Sequence, residues 1–372
     1  MQVEGVPAAT CHKNPIDTAL AMKKTLLAAG VLLACATAAQ AQSQVTLSGL
    51  ADMFAGSMKN AGDPGRVSQV GSGGMTTSWF GFSGTEDLGG GLTAGFKITS
   101  FQRLDTGTPG RFTGDGFFTR DSNVSLAGGF GTVTMGRGLA PNFLPTILFN
   151  PFGDSFTFSP LVLLKNVPLF NGTGWGATTA ADTGWSNEVI YSTPKFGGLS
   201  GNLHYQFGEQ QATGTRGRKN VGANFLWFTG PLAFTGYYER DQISNPVNGL
   251  ITAGTPAQPD TVKDWMLGAS YDAKFAKFYA TYGETKTAVT KLESDTASVG
   301  VSVPVGAGSI LAGLARTERS IGALNGPKRT IATIGYDYFL SKRTDLYAML
   351  MRDKITAFSS GSSFGVGIRH RF

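Results

Sequence analysis

The sequence is poor in cysteine and in charge, and most of it lacks long apolar runs. Only two of its 372 residues are cysteine, and charged residues make up 15% of the chain. Both cysteines, Cys11 and Cys35, precede the region that we expect to fold, which excludes disulfides, thiol catalysis and cysteine-bound metal from that region. After residue 41, no unbroken apolar stretch reaches the roughly 18 residues that a transmembrane helix needs.

The amino-terminal part has the components of a secretory signal peptide. A basic stretch at 22–24 is followed by an apolar segment and then by small residues at 39–41. A lipobox ending at Cys35, which would make the protein a lipoprotein, is the alternative interpretation. We predict a non-structural upstream extension at 1–21, a signal peptide at 22–41 and a single β-barrel domain at 42–372.

Short segments of alternating apolar and polar residues recur along the predicted domain. At 199–207, leucine and aromatic side chains share one parity, while serine, asparagine, histidine and glutamine share the other. This period of two indicates strands with one apolar face. The 52 glycines and 26 phenylalanines, spread over many short segments, are typical of a transmembrane β-barrel.

The connections between these segments alternate between short glycine-rich turns and longer polar loops. Such alternation is typical of an up-and-down barrel with turns at one end and loops at the other. We therefore predict an all-β, sixteen-stranded antiparallel transmembrane barrel, and a soluble β-sandwich is the alternative. The longer loops are predicted at 57–77, 105–116, 209–218, 241–261, 285–294, 317–328 and 353–360.

One connection, at 139–185, is much longer than ordinary loops and unusually apolar. We expect it to fold against the barrel lumen, because apolar side chains in water would be costly. The last strand alternates in a similar way to the others, with Arg369 and Arg371 expected to face a wet interior. The opposite parity is predicted to face lipid and to close the barrel against the first strand: Phe364, Val366, Ile368, His370 and Phe372.

Six segments resemble the Gram-negative general porins of the neisserial and burkholderial type. They are QVTLSGLAD, GFSGTEDLGGGLTAGF, GGFGTVTMGRG, NEVIYSTPKFGGLSG, LSKRTDLYA and VGIRHRF. The resemblance implies a homotrimeric outer-membrane barrel, in contact with lipid and lipopolysaccharide, whose third long loop folds inward as a constriction. It also implies passive diffusion of ions and small hydrophilic solutes with weak charge selectivity.

The resemblance also implies a set of constriction residues. Arg120 matches a wall arginine of the family, and Asp154 matches an acidic loop position. Trp79, Ser83 and Ile190 stand where the family often has wall cations, so the constriction is expected to be less charged than usual. A channel biased toward small aromatic or apolar organic solutes is therefore the alternative function.

Three further basic residues are candidates on the residue pattern. Lys97 has the inward parity of its strand and is a second candidate for a wall cation. Arg103 is a third, although its position suits the loop mouth equally. Arg137, at the junction of a strand and the long loop, is predicted to anchor that loop through its carbonyl groups or Asp154.

Other function classes have little support in the sequence. The 361–365 segment matches the pattern of a serine-hydrolase elbow but lacks the required strand–turn–helix context. We find no metal-ligand spacing, cofactor motif or polybasic block, so we predict no enzyme, no cofactor and no nucleic-acid partner. An outer-membrane hydrolase and a structural barrel plugged by its own loop remain as alternatives.

Overall fold

The computed structural model describes residues 44–167, 183–211, 216–245, 249–250 and 259–372. The predicted extension at 1–21, the signal peptide at 22–41 and both cysteines lie outside the described residues. Among the described residues, no helix has both the length and the apolar character needed to cross a membrane.

The main element is an 18-stranded sheet, in which two members, Val67–Ser72 and Thr108–Pro109, are short strands inside loops. The other sixteen strands form the wall. In chain order they are β1 Gln44–Met58, β2 Trp79–Gly89, β3 Leu92–Arg103, β4 Asp121–Gly128, β5 Gly131–Leu139, β6 Gly184–Ser192, β7 Leu199–Phe207, β8 Lys219–Thr229, β9 Leu232–Asp241, β10 Val262–Asp272, β11 Lys277–Thr287, β12 Leu292–Val305, β13 Gly308–Ile321, β14 Leu324–Phe339, β15 Thr344–Ile355 and β16 Gly361–Arg371. A further two-stranded ribbon joins Ile243–Ser244 to Gly249–Leu250.

Every wall strand pairs in antiparallel fashion with the next, and β16 returns to pair with β1. Leu50 lies opposite Arg371 and Ser57 opposite Phe364. Beyond β16, Phe372 exchanges two backbone hydrogen bonds of 3.0 Å with Gly49. The wall is thus a closed barrel that offers hydrocarbon no unpaired sheet edge. The predicted all-β, sixteen-stranded antiparallel barrel is confirmed.

The two faces of each strand differ as the alternation predicted. On β16, Phe364, Val366 and Ile368 are exposed on the outer face, whereas Ser363 and Gly365 are buried on the inner face. His370 is also on the outer face, where its Nδ1 lies 2.9 Å from the Thr344 hydroxyl. An apolar outer face suits lipid, and inward polar groups suit the lumen.

The predictions of longer loops at 285–294 and 317–328 are wrong. The structure has short connections at 288–291 and 322–323, because the flanking strands continue through these polar stretches. Glu318 is bonded at 2.9 Å to both Arg316 and Lys328 on the exposed face. Charged side chains that pair across neighbouring strands stabilise the extended conformation here. In the sequence, such a polar stretch resembles a loop.

The lumen beside β16 is also drier than expected. Arg369 is buried rather than solvated, with ion pairs to Asp345 at 3.0 Å and Asp337 at 3.2 Å. Its Nη1 donates to the Thr76 hydroxyl at 2.9 Å. Arg371 is partly exposed and lies 3.4 Å from Asp345. The ion pairs join neighbouring wall strands, and only Thr76 comes from a loop, the one between β1 and β2.

Candidate pore constriction

The connection between β5 and β6, residues 140–183, is here called loop 3. It is described up to residue 167, and Asp182 lies outside the described residues. Leu139 and Trp185 belong to the flanking strands rather than to the loop. Loop 3 contains two short helices, α1 Phe143–Leu148 and α2 Pro160–Lys165. Ser159 caps α2 by accepting a hydrogen bond from the Val162 N–H, and Pro160 suits the first helical turn.

The described part of loop 3 packs against inward-facing side chains of the wall. Phe158 meets Phe54 of β1 edge to face, with ring centroids 5.7 Å apart. Thr333 of β14 donates to the Phe158 carbonyl at 2.7 Å. Lys165 is bonded to Asp264 of β10, which is a buried ion pair. The unusual apolar character of loop 3 is thereby explained, because its side chains form a core inside the barrel.

Glycines on the inner wall provide the space for this packing. A Cβ atom at Gly365 would lie 2.8 Å from the Phe158 ring, and one at Gly313 would lie 2.9 Å from the Phe152 ring. Pro151 approaches Gly300 still more closely, with 2.5 Å between its ring and a Cβ atom placed there. A side chain at any of these positions would force the Phe158 or Phe152 ring, or Pro151, to shift away from the wall.

The opposite side of the lumen holds three neighbouring cavities that share lining residues. A vestibule of about 330 Å³ is lined by residues that include Arg103, Phe112 and Val167. A neck of about 30 Å³ follows, and a lower cavity of about 400 Å³ lies beyond it. Thr77, Arg111 and Phe156 line both vestibule and neck, while Leu139 lines both neck and lower cavity. The neck has room for about two water molecules, so it is the smallest of these three cavities.

Arginine and aromatic side chains dominate the neck. The Arg120 guanidinium carbon lies 3.9 Å from the centre of the Trp79 ring, and its Nη1 donates to Asp121 at 2.7 Å. Arg111, from the loop between β3 and β4, lies 5.2 Å from the Phe101 ring centre. The neck is completed by residues that include Arg137, Phe143, Asp154 and Phe156. These groups combine positive charge with flat hydrophobic surface.

Asp154 is the acidic member of the neck, and it is held by the loop between β1 and β2. The Thr76 hydroxyl donates to its Oδ1 at 2.8 Å. Thr76 is itself fixed because Asp52 accepts its backbone N–H at 2.7 Å. Desolvation by burial raises the pKa of Asp154, and the Thr76 bond and the charges of Arg369 and Arg120 offset this only partly.

Comparisons with known proteins agree on one family. The family model for Gram-negative porins matches residues 27–357. The chain belongs to the Gram-negative porin family. It is 32% identical to outer membrane porin protein 32 of Delftia acidovorans, covering 94% of this chain and 100% of the relative.

One solved structure agrees with this assignment, and a second shares the fold. An anion-selective porin from Comamonas acidovorans is 28% identical, with a TM-score of 0.73, over 89% of this chain and 100% of that one. An outer membrane protein of Vibrio cholerae in a trimer form shares the fold at 16% identity, with a TM-score of 0.64 over 89% and 99% of the two chains. This porin is an outer-membrane channel rather than an enzyme, as the sequence predicted.

The six predicted constriction residues of this porin lie at two levels. Arg120, Trp79 and Asp154 line the neck. Lys97, Ser83 and Ile190, in contrast, line the lower cavity. Ser83 follows Trp79 by four residues on β2, which places it about 13 Å further along the strand. The alternation pattern cannot distinguish these levels, because every inward-facing residue of a strand has the same parity.

Two other predicted residues lie near the neck. Arg137 donates to the carbonyls of Thr119 at 2.5 Å and Gly184 at 3.0 Å, and it also contacts the Ser186 hydroxyl. It therefore links the two strand ends that flank loop 3. Arg103 lines the vestibule, on the loop side of the neck.

Sequence reasoning missed the contributions of the first two long loops. Arg111, Thr76 and the residues that hold them in place lie in polar stretches of the sequence. These stretches have no pattern that indicates a position in the lumen. In the 361–365 motif, the Ser363 hydroxyl bonds to the backbone of Lys59 within a strand, which is not a nucleophile elbow. The described residues hold no group of three or more potential metal ligands.

The raised pKa of Asp154 predicts a pH-dependent ion preference. As pH falls, its carboxylate becomes neutral at a higher pH than an exposed aspartate, whose pKa is about 4. The neck then loses a negative charge, so we expect the chloride preference to increase on acidification. Reversal potentials recorded across a pH series would measure this. Asp154→Asn should show the higher preference already at neutral pH, and an unchanged pH response in that variant would contradict the assignment.

Proposed function

We propose that this porin is a narrow diffusion channel for small hydrophilic solutes with a weak preference for anions. The observation that carries the proposal is the Arg120 guanidinium in the neck, with Arg111 and Arg137 beside it and Asp154 as the acidic residue of the same lining. Lys97 in the lower cavity and Arg103 in the vestibule extend the positive charge along the path. Basic side chains along a narrow pore select against cations. The similarity to an anion-selective porin supports this proposal.

Planar-bilayer recordings of the purified porin test it directly. In a KCl gradient we expect a reversal potential that indicates a several-fold chloride preference. One unit charge about 4 Å from an ion in water is worth about 1 kcal/mol, which corresponds to a factor of about five. Conductance steps should be small, because the neck is tight. Cation preference would contradict the proposal, and no conductance at all would favour a barrel plugged by loop 3.

We also propose that the porin assembles as a homotrimer and contacts lipid and lipopolysaccharide over its remaining outer face. The trimer form of the Vibrio cholerae relative supports this assembly. On the outer face, Phe117 of the second long loop meets Phe80 and Phe118 with ring centroids 6.4 and 4.7 Å away. Phe117 is 48% exposed, and an exposed aromatic cluster suits an apolar partner. Native mass measurement in detergent would reveal a monomer if the proposal is wrong.

The division of the chain remains a proposal as well. We infer that residues 22–41 are a signal peptide and that residues 1–21 are absent from the mature porin. Amino-terminal sequencing of protein purified from outer membranes should begin at Gln42. A lipid-modified Cys35 at the terminus would support the lipoprotein alternative instead.

A further inference from the structure

The neck lining contains more flat groups than a filter for charge requires. Besides its arginines it includes Trp79, Phe101, Phe143 and Phe156. Trp79 and Phe101 lie opposite each other on β2 and β3, so the two rings belong to one level of the wall. Phe143 and Phe156 belong to loop 3, which places aromatic side chains on both sides of the narrow passage.

Guanidinium groups accompany these rings. Arg120 lies over the Trp79 ring at 3.9 Å, and Arg111 lies between Phe101 and Phe112 at 5.2 and 5.4 Å from their centres. Because a guanidinium is planar and stacks on aromatic faces, each contact adds a flat cation to the lining. Among the described residues, Arg120 uses Nη1 to bond Asp121, and its side chain remains 27% exposed. It therefore retains N–H groups that can bind a solute carboxylate.

The small size of the neck makes solute shape important. A solute that enters the neck must displace side chains, because the space between them is about 30 Å³. A flat ring packs against aromatic faces at about 3.5–4.0 Å, whereas a puckered saturated ring is thicker and cannot stack. Of two carboxylates with equal charge and similar size, the aromatic one should pass with less displacement and better contacts.

We propose that the neck selects small planar aromatic carboxylates, whose carboxylate binds Arg120 while the ring packs among Trp79, Phe101, Phe143 and Phe156. This inference rests on the proposed anion-preferring function and specifies the solute class. Stacking of this kind corresponds to a preference of about three- to tenfold over a saturated carboxylate.

The test compares benzoate with cyclohexanecarboxylate on the reconstituted porin. With the sodium salt of one on each side of a planar bilayer, the reversal potential gives their permeability ratio. We expect about three- to tenfold in favour of benzoate for the natural sequence and a ratio near one for Trp79→Leu. Trp79→Phe should retain most of the preference because it keeps a ring.

Two controls keep the interpretation specific. Trp227→Leu removes an indole that is exposed on the outer face of β8, and it should leave the ratio unchanged. Arg120→Lys keeps the positive charge that binds the carboxylate of either solute, so the ratio should stay well above one. A ratio near one in the natural sequence overturns the inference, as does a high ratio that survives Trp79→Leu. The chloride preference, measured separately in KCl, tests the proposed function alone.

Discussion

Phe158→Ala should release part of loop 3 and raise the single-channel conductance about twofold or more. Phe158 is fully buried against Phe54 and Gly365, and removal of such a ring typically costs about 3–5 kcal/mol. The same loop carries Asp154 and Phe156 into the neck. Loss of this contact should therefore widen the neck. Conductance in concentrated KCl measures the effect directly.

The wall side of this contact provides an independent variant. Gly365→Val adds a side chain where even a Cβ atom would lie 2.8 Å from the Phe158 ring, so it should open the neck as well. Phe196→Ala is the matched control, because Phe196 is 66% exposed in a short turn away from loop 3. The barrels of Phe158→Ala and Gly365→Val should both still show heat-modifiable migration on gels. Unchanged conductance in Phe158→Ala and Gly365→Val would show that this contact does not hold the neck closed.

Arg120→Glu should abolish or reverse the chloride preference, with a change of about tenfold in the anion-to-cation permeability ratio. The substitution changes the neck by two charge units, each worth about 1 kcal/mol to an ion about 4 Å away in water. Mobile ions screen part of this effect, which lowers the expected change to about one order of magnitude. Reversal potentials in a KCl gradient would give the ratio.

Arg120→Glu also places a second carboxylate beside that of Asp121. Arg120→Gln should therefore be measured alongside it. Arg120→Gln removes one charge without adding another. We expect it to change the logarithm of the anion-to-cation permeability ratio by roughly half as much as Arg120→Glu. Arg352→Glu is the control, since Arg352 is exposed on the outer face, where it bonds Ser360. If both Arg120 variants kept the natural chloride preference, the charge that sets it would lie elsewhere on the path.

Much of the barrel could be predicted from the sequence, because membrane strands obey a simple rule. Alternation separates a lipid-facing parity from a lumen-facing one, and the parity of Phe364 and Val366 agrees with the structure. The hairpins around Glu318 could not be placed in the same way. Glu318 pairs with Lys328 across the hairpin and with Arg316 on its own strand, and a one-dimensional pattern cannot distinguish such paired charges from those of a solvated loop.

The sequence by itself determined the closed barrel, its two faces, the inward location of Lys97 and Trp79, and membership of the porin family. Only the tertiary structure decided which inward residues meet. Trp79 and Ser83 share a face of β2 but lie at different levels, and Arg111 reaches the neck from a loop without any periodic pattern. The physical reason is that local alternation is a property of each strand, whereas the neck depends on contacts between distant loops. Those contacts, such as Thr76 with Asp154 and Phe158 with Gly365, form only when the barrel has closed around them.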